Sequence, residues 1–537
     1  MLTELLPLAA SIVGPLAVFV VICWFVRRFA LSISERIEAP LSSRWAPVVA
    51  GGITALVTLF VWGSLSEPGV VHDEQAYVLQ AEIFAQGRWT GEVPPVPEFF
   101  EQAHVFVEPR LAAKYPPGHS LLLVPGIWIG LPGLVPLLLG GVAGGLVFAV
   151  ARRLTDPTTA LLTWLLWATS ATCLLWRASY FSQTSSIAVW LLSVWALLRW
   201  KADGRTYQLV VVLGSLAWIF LTRPLTAIAL GAPILLYILL VARKRRLVQQ
   251  VVLSTAIVIP VLFLNFLWQE HTLGRWLTSP YAEYSREYFP FVKPGFGVDP
   301  APPLRQNAPE IAWLGQQFVG LHAAHQLQAL PAILLQRMFA VLAALGQGWR
   351  GFLVVLFVLG ALRVRGPRRF ALTSAGCLLA GYLIYAHPAQ WVVYYAEVFH
   401  VFFFIASLEL SRLGRVELRL APGQLRSATA FVMLLLLPPT VSDVLDARRI
   451  NDERSNFHRA AGAALASIPP DEPAIVFVRY PQTHNHHLSL VANTPDYRKA
   501  RLWVAYDRGP ANERLLRLTD RAAYRLSTTN WTVERLR

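Results

Sequence analysis

The dominant pattern along the chain is a series of apolar runs separated by short polar blocks, and several runs exceed the roughly 18 residues needed to cross a hydrocarbon core about 30 Å thick. Read for length and periodicity, the runs predict twelve membrane helices, near residues 5–26, 46–65, 135–151, 158–176, 184–198, 208–222, 225–241, 248–268, 351–362, 370–386, 398–410 and 428–441. The first run carries Glu4 in place of a basic leader and has no small-residue cleavage site before Arg27 and Arg28, so it reads as a retained helix.

Charge orients the series. Arg27, Arg28, Arg36 and Arg44 fill the first connection, Arg152 and Arg153 another, and Arg199, Lys201 and Arg205 a third. The blocks at 243–246, 363–369 and 412–426 continue the alternation. Lys and Arg flanking membrane helices are retained on the cytoplasmic side, which puts both termini outside. The excess of 47 basic over 32 acidic residues therefore reports topology rather than a nucleic-acid partner, and 15% charged residues is too few for an ordinary soluble enzyme. Cys23, Cys173 and Cys377 all lie in apolar runs and form neither a disulfide framework nor a metal spacing.

The fold class this implies is an α-helical polytopic membrane protein with a small C-terminal α/β domain on the outer side. Residues 1–441 form the membrane region, with outer loops at 67–120 and 269–349, and residues 442–537 form the tail domain. Within the tail, 474–478 and 502–506 read as strands and 512–518 as helix. His484, His486 and His487 read as a solvated loop rather than a metal cluster.

Chemistry concentrates in the first outer loop. Residues 71–77 place Asp73 and Glu74 in the first turn of a helix, where the dipole favours carboxylates. Asp73, Tyr77 and Gln80 share one face while Glu74 points about 100° away, so Asp73 is the carboxylate expected to face a target. Farther along come Glu101 and His104, then Lys114-Tyr115-Pro116-Pro117-Gly118-His119; the paired prolines exclude regular helix and hold Lys114 in extended backbone. Arg223 follows Thr222 at an outer helix end. The aromatics of the second outer loop, Trp276, Tyr281, Tyr284, Tyr288, Phe289 and Phe296, with Arg275, Arg286 and Lys293, suit a lid, although Trp and Tyr also populate any membrane interface.

The order Asp73-Glu74, Phe99-Phe100-Glu101 with His104, Lys114 to Gly118, and Thr222-Arg223-Pro224 resembles the bacterial GT-C glycosyltransferases. More narrowly it is similar to the group named for rhizobial lipopolysaccharide core sugar transferases, related to protein mannosyltransferases and lipid A aminoarabinose transferases. The resemblance implies an enzyme of the bacterial inner membrane whose site faces the outside or periplasm. Its partners would be a polyprenyl-phosphate sugar donor, membrane lipid and a cell-envelope acceptor, be it lipid, glycan or protein. Asp73, with Glu74 beside it, would be catalytic; Lys114 and Arg223 would bind the donor phosphate; Tyr77, Glu101, His104, Tyr115 and His119 would bind acceptor or substrate. No metal site is expected and no cofactor is required, although carboxylates beside a histidine suit Mg²⁺ or Mn²⁺. Trp391 to Glu397 is similar to the group's late outer motif but lacks the Arg that usually precedes the paired tyrosines. The competing class is a lipid or sugar transporter or flippase, which would place ionisable residues near the midplane of opposed repeats.

Overall fold

Each of the twelve apolar stretches lies mostly on helix, as it must where no water can satisfy the backbone. The computed structural model describes residues 2–242, 247–292, 294–299, 301–305 and 308–537; the basic block 243–246 and Lys293 lie outside the described residues. Among the described residues, seven helices are long and apolar enough to cross a membrane, and Ala46–Trp62, Thr206–Thr222 and Gly348–Ala361 are shorter apolar helices.

The run predicted at 158–176 breaks into Pro157–Ala168 and Ala171–Arg177, bent by 69°. A break frees backbone carbonyls, and two buried arginines take them up. Arg177 donates to the carbonyl of Ala168 at 2.5 Å and Arg350 to that of Thr169 at 3.0 Å.

The basic connections gather at one end of the bundle, where several arginines are paired within the protein. Fully buried Glu409 accepts from Arg363, Arg368 and Arg412 at 2.8, 3.1 and 2.9 Å, and Arg426 meets Glu38 at 2.8 Å. The three long polar segments gather at the opposite end. The second of them, read as a loop over 269–349, contains the helices Pro280–Tyr288, Pro309–Ala324 and Leu330–Leu345. The last is apolar enough to cross, yet both of its ends meet segments of the loop end. Gln347 beyond its C-terminus accepts from Thr172 at 2.8 Å. Ahead of its N-terminus, the His325 carbonyl accepts from Gly297, which neighbours the Gly295 N–H donating to Ile384.

The helix predicted over 428–441 runs from Pro422 to Leu465 without interruption. At 1.5 Å per residue its 44 residues extend about 66 Å, roughly twice the hydrocarbon thickness, so it carries the tail out of the bundle as a continuous rod. The tail is a four-stranded sheet. With β1 (Val105–Phe106) and β2 (Ala112–Ala113) forming a small hairpin in the first loop, the tail strands are β3 (Ala474–Arg479), β4 (Leu502–Tyr506), β5 (Ala522–Ser527) and β6 (Thr532–Arg535). Their order is β4-β3-β5-β6, with β4 and β5 parallel to β3 and β6 antiparallel to β5. Ile475, Phe477, Trp503 and Ala505 share one core with Tyr77, Phe99, Phe100 and Tyr115. The tail is thus docked on the first loop by common apolar burial.

Candidate active site

Asp73 and Glu74 open the helix His72–Ala85, and their neighbouring positions send them to different environments. The Asp73 side chain is 43% exposed; the Tyr115 hydroxyl donates to its Oδ1 at 2.5 Å, and His104 Nε2 lies 3.7 Å from Oδ2. Burial alone would raise the Asp73 pKa, but His104, the Tyr115 hydroxyl and Lys114 overcome it and hold the carboxyl below its usual range. Glu74 is buried on the other side, accepting from the Val70 N–H at 3.0 Å and facing Arg454 of the long helix at 3.4 Å. It fastens the loop to that helix.

The β1–β2 hairpin explains how His104 and Lys114 meet. Pairing of Val105 with Ala113 and Phe106 with Ala112 continues outward to a bond from the Lys114 N–H to the His104 carbonyl, at 2.9 Å. His104 turns the chain there at φ +69°, a left-handed conformation uncommon for a residue with a side chain, and its N–H donates to the Tyr284 hydroxyl at 2.8 Å. Lys114 is buried, with its ammonium 4.4, 5.0 and 5.3 Å from the ring centres of Tyr281, Tyr284 and Tyr115. Aromatic faces stabilise a cation without neutralising it. Among the described residues no carboxylate pairs with this ammonium. Burial lowers its pKa to about 8, against the pull of the Asp73 carboxylate.

Tyr77 stacks on Tyr115 at 4.6 Å and donates to Ser182 Oγ at 2.9 Å. Arg223 reaches the same oxygen at 3.3 Å, donates to the Tyr382 hydroxyl at 2.6 Å, and has its Nε 3.1 Å from fully buried Glu397. Asp73, Tyr115, Tyr77, Ser182 and Arg223 form one connected wall. His119 supports it from behind: its ring lies edge-on to Tyr77 at 4.9 Å, and its Nε2 donates to the Tyr180 carbonyl at 2.8 Å. Gly118 locks the two cationic motifs together, since a Cβ there would come within 2.5 Å of Thr222 Oγ1 and 2.8 Å of the Leu221 carbonyl oxygen.

This arrangement can be compared with known proteins. A family model described as dolichyl-phosphate-mannose-protein mannosyltransferase matches residues 133–268. A search of curated protein sequences returns no match. Among solved structures, ArnT from Cupriavidus metallidurans bound to undecaprenyl phosphate aligns with a TM-score of 0.54 at 16% identity, covering 90% of this chain and 93% of that one. The chain has the fold of the GT-C glycosyltransferases. ArnT in the apo state gives a TM-score of 0.51 at 15% identity, covering 89% and 92%. An oligosaccharyltransferase from Archaeoglobus fulgidus is also similar, with a TM-score of 0.42 at 14% identity over 81% of this chain and 63% of that one.

Within this GT-C fold the remaining candidate residues divide into those that face Asp73 and those that hold the surroundings. Glu101 is buried and accepts from the Ala308 N–H at 2.8 Å, which ties the first loop to the second. Tyr281 joins Tyr385 hydroxyl to hydroxyl at 2.9 Å, so the helix Pro280–Tyr288 covers Lys114 as a lid does. Trp276, 46% exposed, stacks on Phe263, while Arg275 and Arg286 pair with Glu283, away from the site. Phe296 stacks on His325.

The tail adds groups that the sequence left in a solvated loop. His72 Nε2 donates to the His486 carbonyl at 2.6 Å, and Gln75 donates to that of Ser489 at 2.9 Å. Burial lowers the His72 pKa to about 4, which keeps the ring neutral at pH 7. His487 is half-buried, with its ring 5.1 Å from Trp313 and 6.4 Å from Trp391. Tyr382 and Tyr385 are site residues that sequence reasoning passes over, while it reads Glu397 only as the end of a late outer motif without a partner and His487 only as part of a solvated loop. For Glu397 a signal existed: a carboxylate opening an apolar run requires a buried partner, and Arg223 is the unpaired cation of the sequence motif. Among the described residues no group of three or more His, Cys, Asp or Glu side chains is arranged to hold a metal ion.

Proposed function

We propose that the protein is a glycosyltransferase of the bacterial inner membrane, moving a sugar from a polyprenyl-phosphate donor to an acceptor on the outer or periplasmic face. The observation that carries this reading is an accessible, ionised Asp73 carboxylate connected through Tyr115, Tyr77 and Ser182 to Arg223, with the unpaired Lys114 ammonium beside it. ArnT, whose fold this chain shares, is described as bound to undecaprenyl phosphate, which supports a lipid phosphate as the donor's carrier.

In this reading the acceptor hydroxyl gives its proton to Asp73 while its oxygen bonds to the anomeric carbon. The bond from that carbon to the phosphate oxygen breaks, and the lipid phosphate leaves with its electrons. Lys114 and Arg223 receive the charge that develops on the phosphate, a contact strengthened by low local dielectric. A divalent cation is not required by this scheme.

Positioned proton transfer contributes about 10² to 10⁴ in rate, so Asp73→Asn should lose turnover by that factor while remaining folded in membranes. Transfer from a polyprenyl-phosphate sugar, followed in proteoliposomes, measures it. Full activity in the variant, or transport of the lipid without any transfer, would overturn the proposal.

A further inference from the structure

The turn at 363–369 joins the helices Gly351–Ala361 and Pro367–Gly381 at the basic end of the bundle and carries Arg363, Arg365, Arg368 and Arg369. Glu409, fully buried on the helix Phe399–Arg412, fixes part of it: one carboxylate oxygen accepts from Arg363 and Arg412, the other from Arg368. Arg363 also caps the helix before it, donating to the Leu359 carbonyl at 2.9 Å, and Arg412 reaches Glu417 at 3.1 Å. Arg365 and Arg369 are exposed, and among the described residues their side chains form no hydrogen bond or ion pair. Five arginines therefore meet two carboxylates, and three positive charges stay unneutralised around one turn.

This placement costs free energy unless a further anion joins it. Arg368 and Arg369 stand in the first turn of Pro367–Gly381, which holds no acidic residue, and the helix dipole disfavours cations there. Glu409 also holds three guanidinium groups close together against their mutual repulsion.

Apolar side chains indicate where that anion comes from. Leu362 and Val364, 76% and 54% exposed, alternate with the arginines, and exposed Val358 continues the stripe one helical turn earlier. Exposed aliphatic side chains at the end of a membrane helix face acyl chains, so the guanidinium groups beside them stand at headgroup depth. A soluble anion would gain nothing from Leu362 or Val364. A guanidinium fork matches phosphate oxygens in pairs, and a zwitterionic headgroup would add an ammonium to a cluster already in positive excess.

We infer that this turn is a binding site for an anionic phospholipid in the leaflet at the basic end of the bundle, with Arg365 and Arg369 taking the headgroup phosphate and Leu362 and Val364 lying against the acyl chains. The site is at the opposite end from Asp73, and the inference stands independently of the glycosyl-transfer reading.

Native mass spectrometry of the full-length protein, titrated with phosphatidylglycerol or with phosphatidylethanolamine of the same acyl chains, measures the binding. Phosphatidylglycerol is expected to bind more tightly. Each basic side chain near a membrane surface contributes about fivefold toward an anionic lipid, so Arg365→Gln with Arg369→Gln should weaken phosphatidylglycerol by about 25-fold and leave phosphatidylethanolamine unchanged. Arg28→Gln with Arg153→Gln removes the same charge from exposed positions at the same end and should weaken it by less than about threefold, because screened charges outside the turn add little. All four side chains are exposed, and an unchanged Tm confirms that both variants stay folded. Equal loss in the two double variants would reduce the turn to diffuse surface charge and overturn the inference, as would equal affinity of the unaltered chain for the two lipids. Displacement of bound lipid by inorganic phosphate at matched ionic strength would assign the turn to a soluble anion and overturn it as well.

Discussion

The Tyr115 hydroxyl donates to Asp73 Oδ1 at 2.5 Å, and the residue before it in the chain is Lys114, whose ammonium lies over the Tyr281 ring at 4.4 Å. One dipeptide therefore orients the carboxylate and supplies a buried cation that, among the described residues, pairs with no carboxylate. The two prolines that follow fix the backbone on which both depend.

Loss of the Tyr115 hydroxyl should leave Asp73 ionised at pH 7 but less well oriented. Tyr115→Phe is expected to lower kcat by about tenfold, the worth of one hydrogen bond to a charged group. Because that bond lowers the Asp73 pKa, its removal raises it, and the acid limb of the kcat profile should move to higher pH. An unmoved acid limb would argue against Asp73 as the titrating base.

Lys114 sets the alkaline side. Its pKa is lowered to about 8, so it is charged below that pH and loses its proton above it. The kcat/KM profile, which reports the free enzyme, should fall as pH rises through about 8. A bound phosphate favours the charged form, so the corresponding limb in kcat should lie at higher pH. Coincident limbs in kcat and kcat/KM would remove Lys114 from the donor site.

The buried pair of Arg223 and Glu397 predicts a stability effect separable from catalysis. Arg223→Met leaves a fully buried carboxylate without its cation, a change worth about 3 to 5 kcal/mol, and should lower the Tm sharply. Adding Glu397→Gln should recover most of the Tm but not the activity. Recovery of both would reduce Arg223 to a structural role.

Glu74 provides the matching contrast. It holds Arg454 and the Val70 N–H on the side away from the cleft. Glu74→Gln should lower the Tm while changing kcat by less than about threefold, far from the 10² to 10⁴ expected of a base. A loss of kcat comparable with that of Asp73→Asn would mean that both carboxylates take part.

Because a backbone in hydrocarbon has no alternative to bonding within its own segment, apolar run length alone located the helices of the twelve predicted stretches, though neither the break within 158–176 nor the apolar helix Leu330–Leu345. It also set the separation of basic from polar connections, which the structure gathers at opposite ends of the bundle. The divergence of Asp73 from Glu74 was legible too, since it follows from the 100° step of one helix. Other features required tertiary structure because they depend on what lies across a space. The break at Thr169 is stabilised by Arg350, 181 residues away. The apolar helix Leu330–Leu345, within a segment read as a loop, has the residues beyond its ends held by distant partners, Gln347 by Thr172 and His325 by Gly297. Strands β5 and β6, whose mixed composition gives no clean alternation, exist because β3 offers an edge to β5 and β5 offers one to β6. Glu397 and His487 reach the site by packing, and no spacing in a single sequence encodes which distant segment a buried charge or a half-buried ring will meet.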